Sequence, residues 1–121
     1  MKKIEAIIRE EKLDSVKQAL EEGGFTGLTV TAVSGRGQQK GLVLQWRVGD
    51  YRIDLLPKTK VEIVVQDAEA QAVIDILCDS ARTGEIGDGM IFVTPVEQAR
   101  RIRTGETGSE ALKRTPPPTR D

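Results

Sequence analysis

Along the first nine residues apolar and polar side chains alternate, with Ile4, Ala6 and Ile8 on one face. That two-residue period predicts a strand over residues 2–9. The period then lengthens. Leu13, Val16, Ala19 and Leu20 recur at helical spacing, and Gly23-Gly24 stops that helix. LTVTAV (28–33) and the β-branched KVEIVV (60–65) read as the second and third core strands. A second helix carries Ala70, Val73, Ile74, Leu77, Cys78 and Ala81 on one face, with Asp67 as its N-cap and Arg82 and Gly84 as its stop. MIFVTP (90–95) is the last strand, followed by a short helical stretch, VEQARRI, and an extended IRTG. The order β-α-β-β-α-β predicts an α+β, ferredoxin-like sandwich. Two helices cover one face of the sheet. The other face, offering Ile or Val from several strands, is expected to be a buried oligomer interface.

Between the second and third core strands lies an excursion of nineteen residues, Gly37 to Leu55. A connection of that length is uncommon unless it serves a function. Its sides alternate, Leu44, Trp46 and Val48 outward and Tyr51, Ile53 and Leu55 on the return, with Gly49-Asp50 as the expected hairpin turn. It holds the chain's one Trp and one Tyr. An isolated two-stranded hairpin is marginal in water, so these apolar groups are expected to meet a partner or remain mobile.

Composition narrows the chemistry. The 121 residues make one domain, 38% hydrophobic and 31% charged, with net charge −1 and pI near 5.6, so no strong field recruits nucleic acid or an anionic membrane. No apolar run approaches a membrane span and the start lacks the pattern of a signal peptide. One cysteine leaves no intrachain disulfide, and a reducing cytoplasm is the expected setting. Histidine is absent, which removes histidine bases, Ser-His-Asp and Cys-His systems and nearly every zinc site. Cys78 reads as a core filler. No catalytic residues are expected.

Glycines cluster where strands end, Gly35 and Gly37 in SGRGQQKG and Gly84, Gly87 and Gly89 in RTGEIGDGM. Such backbone can cradle an anion, though turns alone also require it, and neither a P-loop nor a dinucleotide fingerprint is present. Arg101 and Arg103, two apart on an extended segment, project to one side as a phosphate clamp or as a solvated basic edge. Lys58 follows Pro57 at the entrance to the third core strand.

Five stretches in order, MKKIEAIIRxxKLDxVKxAL, GRGxQKG, YRIDLLPKTKVEIVV, ARTGEIGDGxIFV and IRTGETG, resemble the nitrogen-regulatory PII signal-transduction family over residues 1 to about 112. The WRVGDY segment is most similar to members paired with ammonium transporters. The resemblance implies a homotrimer of ferredoxin-like domains (residues 1–112, T-loop 37–55) with a Pro-rich, disordered tail at 113–121. It implies ATP or ADP in clefts between subunits, at Thr29, Gly35, Arg36, Gly37, Gln38, Gln39, Lys58, Val64, Gly87, Asp88, Gly89, Met90, Arg101 and Arg103. With MgATP, 2-oxoglutarate would join at Gln39, Lys58 and Gly87, Gln39 also helping to hold Mg2+. Trp46, Arg47 and Tyr51 would meet a partner, an ammonium transporter or nitrogen-metabolism enzymes. Arg47 matches a channel-plugging arginine and Tyr51 a nucleotidylylated tyrosine at the hairpin tip. The implied protein is a cytoplasmic regulator that reaches the membrane only through a transporter.

Two departures bear on this. Met90 stands where the family usually has a lysine on the nucleotide phosphates, a loss of about 1 to 2 kcal/mol if that contact is partly desolvated. Gly49 excludes the serine switch of cyanobacterial members. A PII-like sensor with altered metabolite or nucleotide preference is the alternative. An RNA-recognition domain shares the topology, but KIEAIIR and KVEIVV carry no stacking aromatics.

Overall fold

The computed structural model describes residues 1–36, 42–46, 49–53 and 55–113, the two middle stretches by their backbone alone. The expectations for Gly37, Gln38, Gln39, Arg47 and the tail from 114 therefore lie outside the described residues.

Strand β1 (Lys2–Ile8) buries Ile4, Ala6 and Ile8 as the alternation requires. A 3-10 turn at Glu10–Lys12 leads into helix α1 (Leu13–Glu22), whose Val16 and Leu20 are buried. The Gly23-Gly24 stop is a Schellman motif: Phe25 N–H donates to Leu20 O (2.8 Å), Gly24 N–H to Glu21 O (2.9 Å), and Gly24 takes φ 88°. Strand β2 (Thr29–Gly35) and the hairpin strands β3 (Leu42–Trp46) and β4 (Gly49–Ile53) precede β5 (Leu56–Val65). Helix α2 (Ala70–Ala81) and strand β6 (Gly89–Pro95) follow.

The main sheet runs β2-β5-β1-β6, every pair antiparallel. This is the ferredoxin-like α+β arrangement. Ile4, Val16, Leu20, Val61, Val73 and Leu77 are fully buried between sheet and helices. Side chains of this size each contribute about 1.5–3 kcal/mol on burial. Cys78, on the same face of α2, is half-buried rather than central. Pro57 is tolerated in the central strand β5 because it faces only Ser34 of β2; β1 begins pairing at Thr59.

Several expectations need correction. The first turn after β5 is a 3-10 turn, Asp67–Glu69, capped by Gln66 in a capping box with Glu69. Asp67 is not the cap; it lies 2.9 Å from the Met1 ammonium. VEQARRI is not helical. Val96 N–H donates to Met1 O (3.1 Å), Gly108 N–H to Ala99 O (2.9 Å), and Arg100 bridges to Thr107. Contacts to distant backbone outweigh a weak local propensity. The hairpin turn is displaced as well. Trp46 pairs with Gly49 and Gln45 with Asp50, so Gly49-Asp50 opens the return strand instead of forming the turn.

The second sheet face also differs from the apolar surface expected of it. Its centre is ionic: Lys3 and Lys60 reach Glu62 at 3.5 and 3.3 Å, and Lys60 reaches Glu5 at 3.7 Å. A hydrogen bond from Lys60, with Lys3 adding to it, holds the Glu62 carboxyl below its ordinary range. Apolar residues sit toward the β6 side, where Ile7 pairs with Met90 and Phe92 with Glu5.

Candidate functional site

Among the described residues, the loop from α2 to β6 is the most heavily braced irregular segment. It begins where Arg82 leaves the helix in an extended conformation (φ −72°, ψ 134°). Gly84, Gly87 and Gly89 take φ of 90°, 104° and 111°. At Gly89 a second constraint applies, because a Cβ there would stand 1.7 Å from Ile7 O of β1. Only glycine permits that approach.

Asp88 ties the loop from inside. One carboxylate oxygen, Oδ1, accepts the Thr83 hydroxyl and Arg9 Nε (3.0 Å). The other, Oδ2, accepts the N–H groups of Thr83 and Gly84, both at 2.8 Å. The Thr83 hydroxyl, then the two backbone donors and Arg9, hold the Asp88 carboxyl well below the usual carboxylate range against the opposing effect of desolvation. Two cations from the sheet reach the loop's carbonyls: Arg9 Nη2 donates to Ile86 O (2.9 Å) and Lys58 Nζ to Gly87 O (2.8 Å). The N–H groups of Ile86 and Gly87 make no hydrogen bond among the described residues. Adjacent backbone N–H groups beside cations form a concavity suited to a carboxylate or phosphate oxygen.

The C-terminal segment is built differently. Residues 101–105 close a tight turn, with Gly105 N–H on Arg101 O (2.7 Å) and Arg101 N–H on Glu106 O (2.8 Å). The expected extended segment is replaced by this turn. Arg101 Nη2 instead donates to Ala111 O (3.0 Å) and Lys113 O (2.6 Å), while Arg103 is exposed. Arg101 and Val64 line an open cleft of about 360 Å³ together with Thr26, Gly27 and Glu69.

The residues expected to bind nucleotide therefore form two groups. Lys58 and Gly87 are in contact, Asp88 and Gly89 belong to the same loop, and Met90, 62% exposed, follows it on β6. Gly35 pairs with Leu56 at this end of the sheet, with exposed Arg36 just beyond. Val64 and Arg101 lie at the opposite end, on the side where Thr29 pairs with Glu62. Lys58 and Val64 are six residues apart on one strand, about 20 Å. On the hairpin, Trp46 is in the pair nearest the turn, and Tyr51 pairs with Leu44, two rungs back from the tip. Arg9 was missed by sequence reasoning. Its one signal was an arginine directly after the alternating apolar run of β1. Thr83 had none beyond its place beside Gly84.

Comparison with known proteins fits this architecture. The family model described as "Nitrogen regulatory protein P-II" matches residues 1–106. The "Nitrogen regulatory protein P-II 2" of Methanothermobacter thermautotrophicus is 56% identical over 112 residues, covering 93% of this chain and 97% of its own. The "Nitrogen regulatory protein P-II" of Rhizobium meliloti is 55% identical over 112 residues, 93% of this chain and 100% of its own. That of Microchaete diplosiphon is 54% identical with the same coverage. The chain belongs to the nitrogen regulatory P-II family, a family of regulators rather than enzymes.

Proposed function

We propose that this chain is a nitrogen-status sensor that binds ATP or ADP, and 2-oxoglutarate in the presence of MgATP, in clefts between the subunits of a homotrimer. The observation that carries the reading is the α2–β6 loop, whose Ile86 and Gly87 N–H groups have no partner among the described residues while Arg9 and Lys58 hold its carbonyls. Phosphate and carboxylate oxygens are the groups such a loop accepts. The division of the candidate residues supports the inter-subunit placement. One copy offers the loop end of the sheet and its neighbour the Val64–Arg101 end, which no single copy brings together. Thr29, Gly35, Arg36, Lys58, Val64, Gly87, Asp88, Gly89, Met90, Arg101 and Arg103 belong to this reading, as do Gly37, Gln38 and Gln39 outside the described residues. Mg2+ belongs with the nucleotide phosphates and Gln39.

Signalling follows by linkage. ADP and MgATP with 2-oxoglutarate occupy one cleft but hold the base of the 37–55 segment differently, so each favours a different set of its conformations. Trp46, Arg47 and Tyr51 present that state to a partner, an ammonium transporter or a nitrogen-metabolism enzyme. The protein works in the cytoplasm and meets the membrane at the transporter. Among the described residues no helix is long and apolar enough to cross a membrane.

The test is calorimetric titration with ATP, ADP and 2-oxoglutarate, each with and without magnesium, beside a light-scattering mass. A trimer binding nucleotide near one site per subunit, and 2-oxoglutarate only with MgATP, is the expected result. A monomer, or the absence of nucleotide binding, sinks the reading. Nucleotide binding without 2-oxoglutarate supports the retuned sensor, with Met90 as the departure to reverse first.

A further inference from the structure

We infer that Arg9 is a positioning residue for the anion-binding loop, acting through Asp88 and the Ile86 carbonyl rather than by touching the bound anion. The inference rests on the ligand reading above. Arg9 leaves β1 in an extended conformation (φ −65°, ψ 141°), at the strand end where Ile8 pairs with Gly89. From there its guanidinium spans 77 and 79 residues of sequence to reach Ile86 O and Asp88 Oδ1. Two nitrogens of one planar fork thus grip two atoms of the same loop, fixing its orientation as well as its position. Lysine offers one compact charge and cannot make both contacts with the same geometry.

The consequences are specific. Asp88 gathers Thr83 and Gly84 onto its carboxylate, and Arg9 ties that knot to the sheet. Holding Ile86 O fixes the plane of the peptide that follows, and that peptide carries the Gly87 N–H, which has no partner among the described residues. Lys58 fixes the next peptide through Gly87 O. Arg9 thereby sets the direction of a donor whose ligand it does not meet. Its side chain is largely covered, at 19% relative exposure, and points into the loop's own atoms.

The test uses the full chain and ADP as probe, with Arg9→Gln, Asp88→Asn and the double variant. Each single change is expected to weaken ADP binding by about tenfold or more. The double variant should bind no more weakly than the weaker single, because both remove one device. Hydrogen exchange without nucleotide should quicken across residues 83–88 in both single variants, with α1 as protected as in the parent. Where Arg9→Gln compromises folding, Arg9→Lys carries the same test, since it keeps the charge and loses the fork. Multiplicative losses in the double variant would mean that Arg9 and Asp88 act independently and would overturn the inference. Unchanged loop exchange in Arg9→Gln would overturn it equally. If the parent binds no ADP while loop exchange responds as expected, the nucleotide reading fails and the structural action of Arg9 on the loop stands.

Discussion

The α2–β6 loop and the C-terminal segment from Ala99 to Lys113 both carry residues expected to hold an anion, yet they are secured in opposite ways. The first is anchored from outside by Arg9 of the β1 exit and Lys58 of β5, each far away in sequence. The second is held mostly by itself. Arg101 grips Ala111 and Lys113, Gly105 closes on Arg101, and the segment's long-range hydrogen bond among the described residues is Ser109 to Gln66 at 3.4 Å. A segment cross-braced to a sheet opens only when the sheet yields, whereas a self-tied one can open locally at lower cost. The contrast assigns a fixed half and a movable half to the proposed cleft.

Alanine at the glycines tests this most sharply. Gly89→Ala combines a positive φ with a clash against β1 backbone, and should cost on the order of 3 kcal/mol or more in urea denaturation. Gly105 also has positive φ (76°), but its nearest neighbour is the far end of the Arg100 side chain, at 3.7 Å. Gly105→Ala should therefore cost only about 1 kcal/mol. Equal losses at the two sites would remove the distinction.

Asp88 supplies a pH test. Its folded-state carboxyl titrates below the unfolded value, so the stability it contributes is complete above that value, near pH 4, and drains away as pH falls further. Asp88→Asn should flatten the acid limb of a stability–pH curve below about pH 4 and leave the slope at neutral pH unchanged. An acid limb identical to the parent's would show that the knot adds nothing to folding.

Arg101→Ala should loosen residues 106–113 in hydrogen exchange while lowering global stability by less than about 1 kcal/mol, because the bonds lost are local and partly solvated. Smallest of all, Gly35→Ala meets nothing within 4 Å and has no positive φ, and should change stability by no more than about 0.5 kcal/mol in either direction.

The same contrast explains what could be read from the chain. Alternation in β1 and β5 and the 3.6-residue period of α1 and α2 report burial directly, so the core and the strand order were legible. Gly23-Gly24 was legible because a helix stop is local chemistry. The VEQARRI segment was not, since its conformation is set by hydrogen bonds to Met1 and to residues 107–108. The charged centre of the second sheet face escaped for a related reason. Lys3, Glu5, Lys60 and Glu62 become neighbours only when β1 and β5 pair. At the site, the glycines and Lys58 could be picked out by type and place. Arg9 and Thr83 could not, because each acts on a residue the linear pattern does not set beside it.

The braces of the loop are an arginine, a lysine and a carboxylate held below its ordinary range, and the chain contains no histidine. None of the three is a group whose charge ordinarily changes between pH 5 and 8. In the proposed sensor the loop's own ties therefore keep their charges across the swings of pH that a cell undergoes, so the shape of the loop is set by its braces and not by a titrating switch within it.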